Sequence, residues 1–272
     1  WTRKSNLRDV STEVADGTVD DAQLLTAAQA VLAVVPKDDK TYADSAVPVI
    51  LSQAASLGVT DPNQVAYLLA TTEHESHFGK PNYDRSESLV EDSNPITQNK
   101  KGTAWTATVH TNKKVVSGAT RDEAETKYWD SAYGGRLGNA KGTTDGRDFR
   151  GRGHVQITGR SNYRKMSAVL NAQMFSYTLD GVQYGGRPPA GETMNQSTET
   201  YQPLIDLEAN PTHVNRVPEL AARLLVEGAM GGHYTGKRLG SSVNSKKKDR
   251  AAFTKARGVI NGDGATNGAS IA

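Results

Sequence analysis

At 272 residues the chain has room for one large domain or two small ones, and its 32 basic and 30 acidic side chains leave a net charge of only +2. That balance excludes a strongly basic nucleic-acid binder, and no apolar run approaches the roughly 18 residues that would mark membrane insertion. Cysteine is absent, which removes disulfides, thiol catalysis and every cysteine-containing zinc site.

In chain order, "VDDAQLLTAAQAVLAVVP" (19–36) predicts a helix, with acid residues at its start, Leu and Ala at helical spacing and Pro36 as the stop. "KDDKTYAD" reads as a polar connector, and "SAVPVILSQAASLGV" predicts a second helix ending at Gly58. "TDPNQVAYLLATTEHES" predicts a third, capped by Thr60 or Asp61 with Pro62 in its first turn, and Val65, Leu68, Leu69 and Thr72 on its inner face. From Gly79 to Lys127 the chain is polar, with "TAWTATVHTNKKVV" suggesting a small hairpin; so long a stretch marks a functional loop or an insertion. Helices are expected at "RDEAETKYWDSAY" and "YRKMSAVLNAQM", and 176–202 looks like a turn-rich excursion. A Pro-started helix interrupted by Gly228 should follow in "PTHVNRVPELAARLLVEGAMGGHY", then a last basic helix in "KKKDRAAFTKARGVINGDG". No internal repeat is visible. The expectation is a mainly α domain over 41–272 behind an N-terminal helical extension, 1–40.

Several motifs offer chemistry. "EHESH" suggests a metal, yet His74 and His77 are three apart where the zinc-protease pattern needs four, and no third ligand follows. "GRGHVQITG" lacks the third glycine of a dinucleotide loop, because Gln156 stands there, and no βαβ unit surrounds it. No metal and no cofactor is therefore expected. Glu75 ends an apolar helix, where the negative helix end and apolar neighbours would both favour an uncharged carboxyl, as a general acid requires. Glycoside hydrolysis needs a second carboxylate, and the segment after Glu75 offers Asp84, Glu87, Glu91 and Asp92.

The motifs "AYLLATTEHESHFG", "YGGRLGN", "DGRDFRGRGHVQITGRSNY" and "GGHYTGKRL…FTKARGVINGD" together resemble the family 19 glycoside hydrolases, the plant-type chitinases and, more closely, the bacteriophage endolysins. The resemblance covers about residues 44–264 with insertions, and residues 1–40 have no assigned counterpart. It implies an α+β lysozyme-like fold, bilobal and helical, with a small β-hairpin region and a central cleft. By the same resemblance Glu75 matches the catalytic acid, Gln156, Thr158 and Asn162 match residues that position substrate and water, and Asn261 matches a sugar-contacting asparagine. Arg152 and Tyr163 of the same motif join the expected substrate-binding set. The family's base would fall at Asp84, with Glu87 and Glu91 as alternatives, and Gly135 stands where many relatives carry Glu.

Three structural expectations follow for Leu137–Tyr163. Its glycines should let main chain approach a saccharide. The alternation in "HVQIT" should turn Gln156 and Thr158 to one face with Val155 and Ile157 buried behind. Arg150 and Arg152 should pair with Asp145, Asp148 or the catalytic carboxylates. The expected activity is inverting hydrolysis of a β-1,4 bond in bacterial peptidoglycan, with chitin as the alternative substrate and a non-catalytic wall-binding module as the alternative of another class. The basic run Lys246–Lys248 with Arg250, Lys255 and Arg257 suits an anionic wall or an ordinary solvated face. A monomer, or part of a larger chain, would act at the bacterial wall after host lysis or delivery by another system, such as a toxin-secreting apparatus, because "WTRKSNLRDV" has no signal-peptide core.

Overall fold

The computed structural model describes residues 21–81, 89–91, 93–186 and 203–261. They form a mainly α architecture with one three-stranded antiparallel sheet and one hairpin. The chain divides into two compact units, one taking the chain up to Phe78 and again from Ala222, the other running from Gly79 to Ala221. Among the described residues no helix is long and apolar enough to cross a membrane.

In the first unit, α1 (Asp21–Leu32), within the expected extension, packs on α2 (Lys40–Ser56). α2 begins inside the supposed connector and carries Pro48 in its interior, where the missing N–H interrupts the ladder. The helix survives because Ala43, Val47, Ile50, Leu51 and Ala54 bury a continuous stripe. α3 (Pro62–Ser76) starts as its sequence predicts: Asp61 Oδ1 accepts the Asn63 N–H at 2.8 Å and Pro62 needs no partner in the first turn. α9 (Leu239–Ser242) and α10 (Arg250–Ile260) complete the unit, the latter capped by Asp249, which accepts the Ala252 N–H at 2.8 Å. Gln64 Nε2 donates to the Val243 carbonyl at 3.1 Å and Tyr67 Oη to the Ala256 carbonyl at 2.8 Å, so α3 is tied to the C-terminal segment along one face.

In the second unit, β1 (Thr97–Gln98), β2 (Trp105–Thr108) and β3 (Val115–Gly118) form a meander in which Ala107 pairs with Val116. The sheet packs on α4 (Arg121–Tyr133) through Ile96, Val109, Val116, Ala124, Tyr128 and Trp129. Short α5 (Asp145–Asp148) and α6 (Arg160–Ala172) flank the glycine- and arginine-rich loop. Part of the expected excursion is a regular hairpin, β4 (Ser176–Leu179) and β5 (Val182–Gly185), turned by Asp180 and Gly181 with φ of 51° and 80°. The rest of that excursion, from 187, lies outside the described residues.

The helix expected to run from Pro211 and break at Gly228 breaks earlier, between α7 (His213–Arg216) and α8 (Pro218–Gly231). Val217 precedes a proline, which disfavours helical backbone, and it is extended at φ −116°, ψ 103°. Gly228 sits inside α8, where a Cβ would stand 2.0 Å from the Tyr234 ring. Its lack of a side chain makes room for Tyr234, whose hydroxyl donates to the Leu224 carbonyl at 2.7 Å. That glycine serves packing, not termination.

Candidate functional site

Glu75 lies on the same face of α3 as Gln64, Leu68 and Thr71, at spacings of eleven, seven and four residues that keep a helical stripe aligned. Its carboxylate meets the guanidinium of Arg257 on α10, whose Nη1 donates to Oε1. The two side chains are 15% and 6% exposed. Apolar surroundings were expected at Glu75; a fixed positive charge is what the fold supplies. Tyr67, about two turns further back, is raised to about 12, mainly by burial, with Glu75 adding to the rise and Arg257 opposing it. The backbone turns sharply after Ser76: His77 and Phe78 both take left-handed angles, φ 46° and 57°, a strained arrangement for residues with side chains. His77 Nδ1 lies 3.2 Å from Asp39 Oδ2 and His74 is exposed, so the two imidazoles of "EHESH" do not converge.

In the second unit, a short strand-like contact brings another carboxylate onto the Gly/Arg motif. Val90 and Arg152 form an antiparallel bridge, the Glu91 N–H donates to the Gly151 carbonyl at 2.8 Å, and the Gly153 N–H donates to the Leu89 carbonyl at 2.9 Å. Glu91 Oε2 accepts the Gly151 N–H at 2.9 Å, and Oε1 accepts the Tyr133 hydroxyl at 2.6 Å. His110 Nε2 lies 3.3 Å from the same Oε1. Burial and the neighbouring Glu91 charge push the Tyr133 phenol well above its ordinary range, so it is a lasting donor. Asp84, Glu87 and Asp92, the other loop carboxylates, lie outside the described residues.

The motif itself is a tight turn. Arg152 and Ile157 bridge across four turn residues, and Gln156 is left-handed at φ 51°. The expected strand alternation is therefore absent, although its burial outcome appears: Val155 and Ile157 are buried while Gln156 and Thr158 are half-buried. Gln156 Nε2 donates to the Gly153 carbonyl at 2.9 Å, Thr158 Oγ1 to the Gln156 carbonyl at 2.9 Å, and Asn162 Nδ2 to the Thr158 carbonyl at 2.8 Å. These bonds order the three side chains in one ladder. Gly151 completes it, since a Cβ there would stand 2.8 Å from Gln156 Oε1 and 3.0 Å from Glu91 Oε2.

Arg152 and Tyr163 serve the frame of the loop. Arg152 is 3% exposed and its Nη1 reaches the Asp148 carbonyl at 2.5 Å and the Tyr163 hydroxyl at 3.0 Å; Tyr163 is fully buried and donates to the Arg150 carbonyl at 2.9 Å. The pairings expected of Arg150 and Arg152 with Asp145 belong to Arg160. Its Nε and Nη2 grip Asp145 at 3.0 and 2.6 Å, its Nη1 reaches Glu208 at 2.8 Å, and its guanidinium lies 4.6 Å from the Phe149 ring centre. A two-pronged charged bond of this kind fixes orientation as well as energy. Several glycines of the stretch answer to the protein itself: a Cβ on Gly146 would press the Trp129 carbonyl at 2.3 Å, and one on Gly159 (φ 89°) would press Leu137 at 2.3 Å.

Asn261 closes α10, its N–H donating to the Arg257 carbonyl at 3.0 Å. An open cavity of about 420 Å³ in the first unit is lined by Gln29, Leu32, Ala33, Val35, Lys37 and Lys40, and holds none of these groups. Sequence reasoning missed Arg257, Tyr133 and His110 as site residues. Arg257 had one signal, its place among Phe253, Ala256 and Ile260 on a helical face, and Tyr133 lay unassigned within "YGGRLGN". A scan against protein-family models matches no family, and a search of curated proteins finds no match.

Proposed function

We propose that the protein is a peptidoglycan-degrading glycoside hydrolase with the lysozyme-like fold its motifs resemble, cleaving a β-1,4 bond between N-acetylated sugars by a single displacement. The observation that carries the proposal is Glu91, an ordered carboxylate laid on the loop of Gln156, Thr158 and Asn162 by the Gly151 N–H and the Tyr133 hydroxyl. Donors satisfy part of its capacity only. Tyr133 and His110 both address Oε1, so Oε2, with one N–H from Gly151, keeps a lone pair with which to take a proton from water.

In this mechanism Glu75 is the acid. Arg257 engages Oε1 and orients the group, which meets it as a carboxylate; to act as the acid, Glu75 must first take a proton on Oε2 and then hand it to the bridging oxygen. Glu91 is the base, and the Thr158 hydroxyl helps to hold the attacking water. Glu91 is taken here as the second carboxylate on the strength of its bonds to the Gly151 N–H and the Tyr133 hydroxyl, while Asp84 and Glu87 lie outside the described residues. Inverting chemistry needs about 6.5–9.5 Å between acid and base carboxyls, against about 5–5.5 Å in a retaining pair. Gln156 Oε1 and Asn162 Oδ1, whose amide nitrogens already donate within the loop, supply acceptors for sugar hydroxyls and amides, and Asn261 adds a further contact.

Purified sacculi incubated with the wild-type chain should lose turbidity, and Glu75→Gln or Glu91→Gln should abolish the loss while the proteins remain folded. A folded Glu75→Gln that clears sacculi normally removes Glu75 from the mechanism. Chitin oligomers run in parallel separate peptidoglycan from the alternative substrate. Binding to sacculi without any release of fragments would favour a wall-binding module.

A further inference from the structure

The buried side of α10 carries Arg257, which holds Glu75, while its open side and the segment before it gather charge of one sign. Between 237 and 255 the sequence places seven cations and one acid, a local +6 in a chain whose net is +2, so the remainder stands at −4. All seven cations are exposed. Elsewhere Arg147, Arg160, Arg164 and Arg216 each grip a carboxylate, whereas none of these seven joins an ion pair among the described residues.

The fold draws these cations together. α9 packs on α10. Asn244 Oδ1 accepts the N–H groups of Lys246 and Lys247 at 3.0 Å each, a side-chain turn that holds the triplet Lys246–Lys248 just before α10 begins. Lys247 Nζ anchors that turn on the Ser241 carbonyl at 3.0 Å. From the other end Lys237 reaches over Gly258 of α10, where a Cβ would stand 3.1 Å from its Nζ, and Gly258 lies three residues from Lys255 on the same helix. The arrangement costs stability, because like charges crowd and Arg250 and the triplet sit by the positive end of the α10 dipole, where Asp249 alone has the favourable sign. An anionic polymer laid on this surface would offset that cost.

Two features select the chemistry of that polymer. Five of the seven cations are lysines, mobile point charges that meet scattered anions, rather than arginine forks that clamp one. The one aromatic ring between 237 and 255, Phe253, packs toward Tyr67 at 6.3 Å between centroids, so the surface offers no row of rings on which nucleic-acid bases could stack. Peptidoglycan carries carboxylates on the short peptides spaced along its glycan strands; chitin has the β-1,4 N-acetylated backbone without the charge. We infer that the exposed α9–α10 surface of the first unit docks the peptide carboxylates of peptidoglycan and so sets the preference for that glycan over neutral chitin. This rests on peptidoglycan being the substrate, as proposed above, and it places the docking surface on the helix that holds the acid's partner.

Sedimentation of the full chain with purified sacculi, freed of accessory phosphate polymers and kept cold, reads binding apart from hydrolysis. Binding should weaken steeply between about 0.1 and 1 M salt, as the screening length shrinks from about 10 to about 3 Å. The triple variant Lys246→Gln, Lys248→Gln, Arg250→Gln, with folding checked by circular dichroism, should bind about tenfold more weakly at the lower salt, since each exposed pairing is worth up to a few-fold. Its KM on sacculi should rise by about the same factor with kcat unchanged. Sacculi with amidated carboxyls should hold the wild type no better than untreated sacculi hold the variant, and the two proteins should bind chitin equally. Equal binding of both proteins to untreated sacculi, or undiminished binding to amidated ones, overturns the docking surface. Tighter binding of duplex DNA than of sacculi in the same salt overturns the choice of partner. Salt-dependent binding without release of fragments removes the hydrolase proposal and leaves the surface, whereas fragments released with the same KM by wild type and variant remove the surface and leave the hydrolase.

Discussion

Arg257 Nη1 donates to Glu75 Oε1, joining α10 to the last turn of α3 through an ion pair whose side chains are 6% and 15% exposed. Removing one partner strands the other charge in a largely dry place, a change that typically costs about 3–5 kcal/mol. Arg257→Met should therefore lower unfolding stability on that scale in urea titration. The double variant Glu75→Leu with Arg257→Met should recover much of the loss, because neither charge of this pair is left without the other. A single-variant cost under about 1 kcal/mol would show that water screens the pair.

Glu75→Gln tests the chemistry, at some cost in stability because Arg257 loses its counter-charge. Glutamine keeps the shape and an acceptor for Arg257 but has no proton to give. Hydrolysis of sacculi should fall by about 10²–10⁴-fold while the circular dichroism stays that of the wild type.

Gly151→Ala tests the closeness of Glu91 to the motif. The added methyl would stand 2.8 Å from Gln156 Oε1 and 3.0 Å from Glu91 Oε2, so both must shift. A loss of at least tenfold in kcat is expected, with a stability cost of about 1–3 kcal/mol from overpacking. Unchanged kcat would mean that neither group needs its observed place.

His154 makes the protein acid-sensitive. Its imidazole is 2% exposed, and burial pushes it down from 6.5 to about 4. Between those values the unfolded chain binds a proton that the folded chain refuses, so stability rises with pH across the window and is lost as pH falls from 6.5 toward 4. Full loss amounts to roughly 3 kcal/mol at 1.36 kcal/mol per pH unit. His213 is lowered by burial, with Arg216 assisting, and steepens the same limb. Thermal melts at pH 7 and pH 4.5 should show His154→Leu losing less stability on acidification than the wild type; equal losses would contradict the assignment.

Local signals in the chain were readable. Asp61, Pro62 and the stripe through Leu68 and Thr72 announced α3, and "TAWTATVHTNKKVV" contained β2 and the first half of β3. Signals that depend on distant partners were not. Arg257 meets Glu75 across 182 positions, and nothing near either residue marks the other. Arg160, rather than Arg150 or Arg152, took Asp145 because it opens α6 on the side where that carboxylate lies. "HVQIT" alternates like a strand, yet its ends, Arg152 and Ile157, pair with each other, forcing a turn through the left-handed Gln156.

The most direct test of the central claim is mass spectrometry of soluble muropeptides released from purified sacculi by the wild type and by Glu75→Gln and Glu91→Gln. Disaccharide-peptides with one new reducing sugar, muramic acid or glucosamine, should appear with the wild type and vanish in both variants. Sacculi left intact by the wild type, or the same fragments released undiminished by a folded Glu75→Gln, would contradict it.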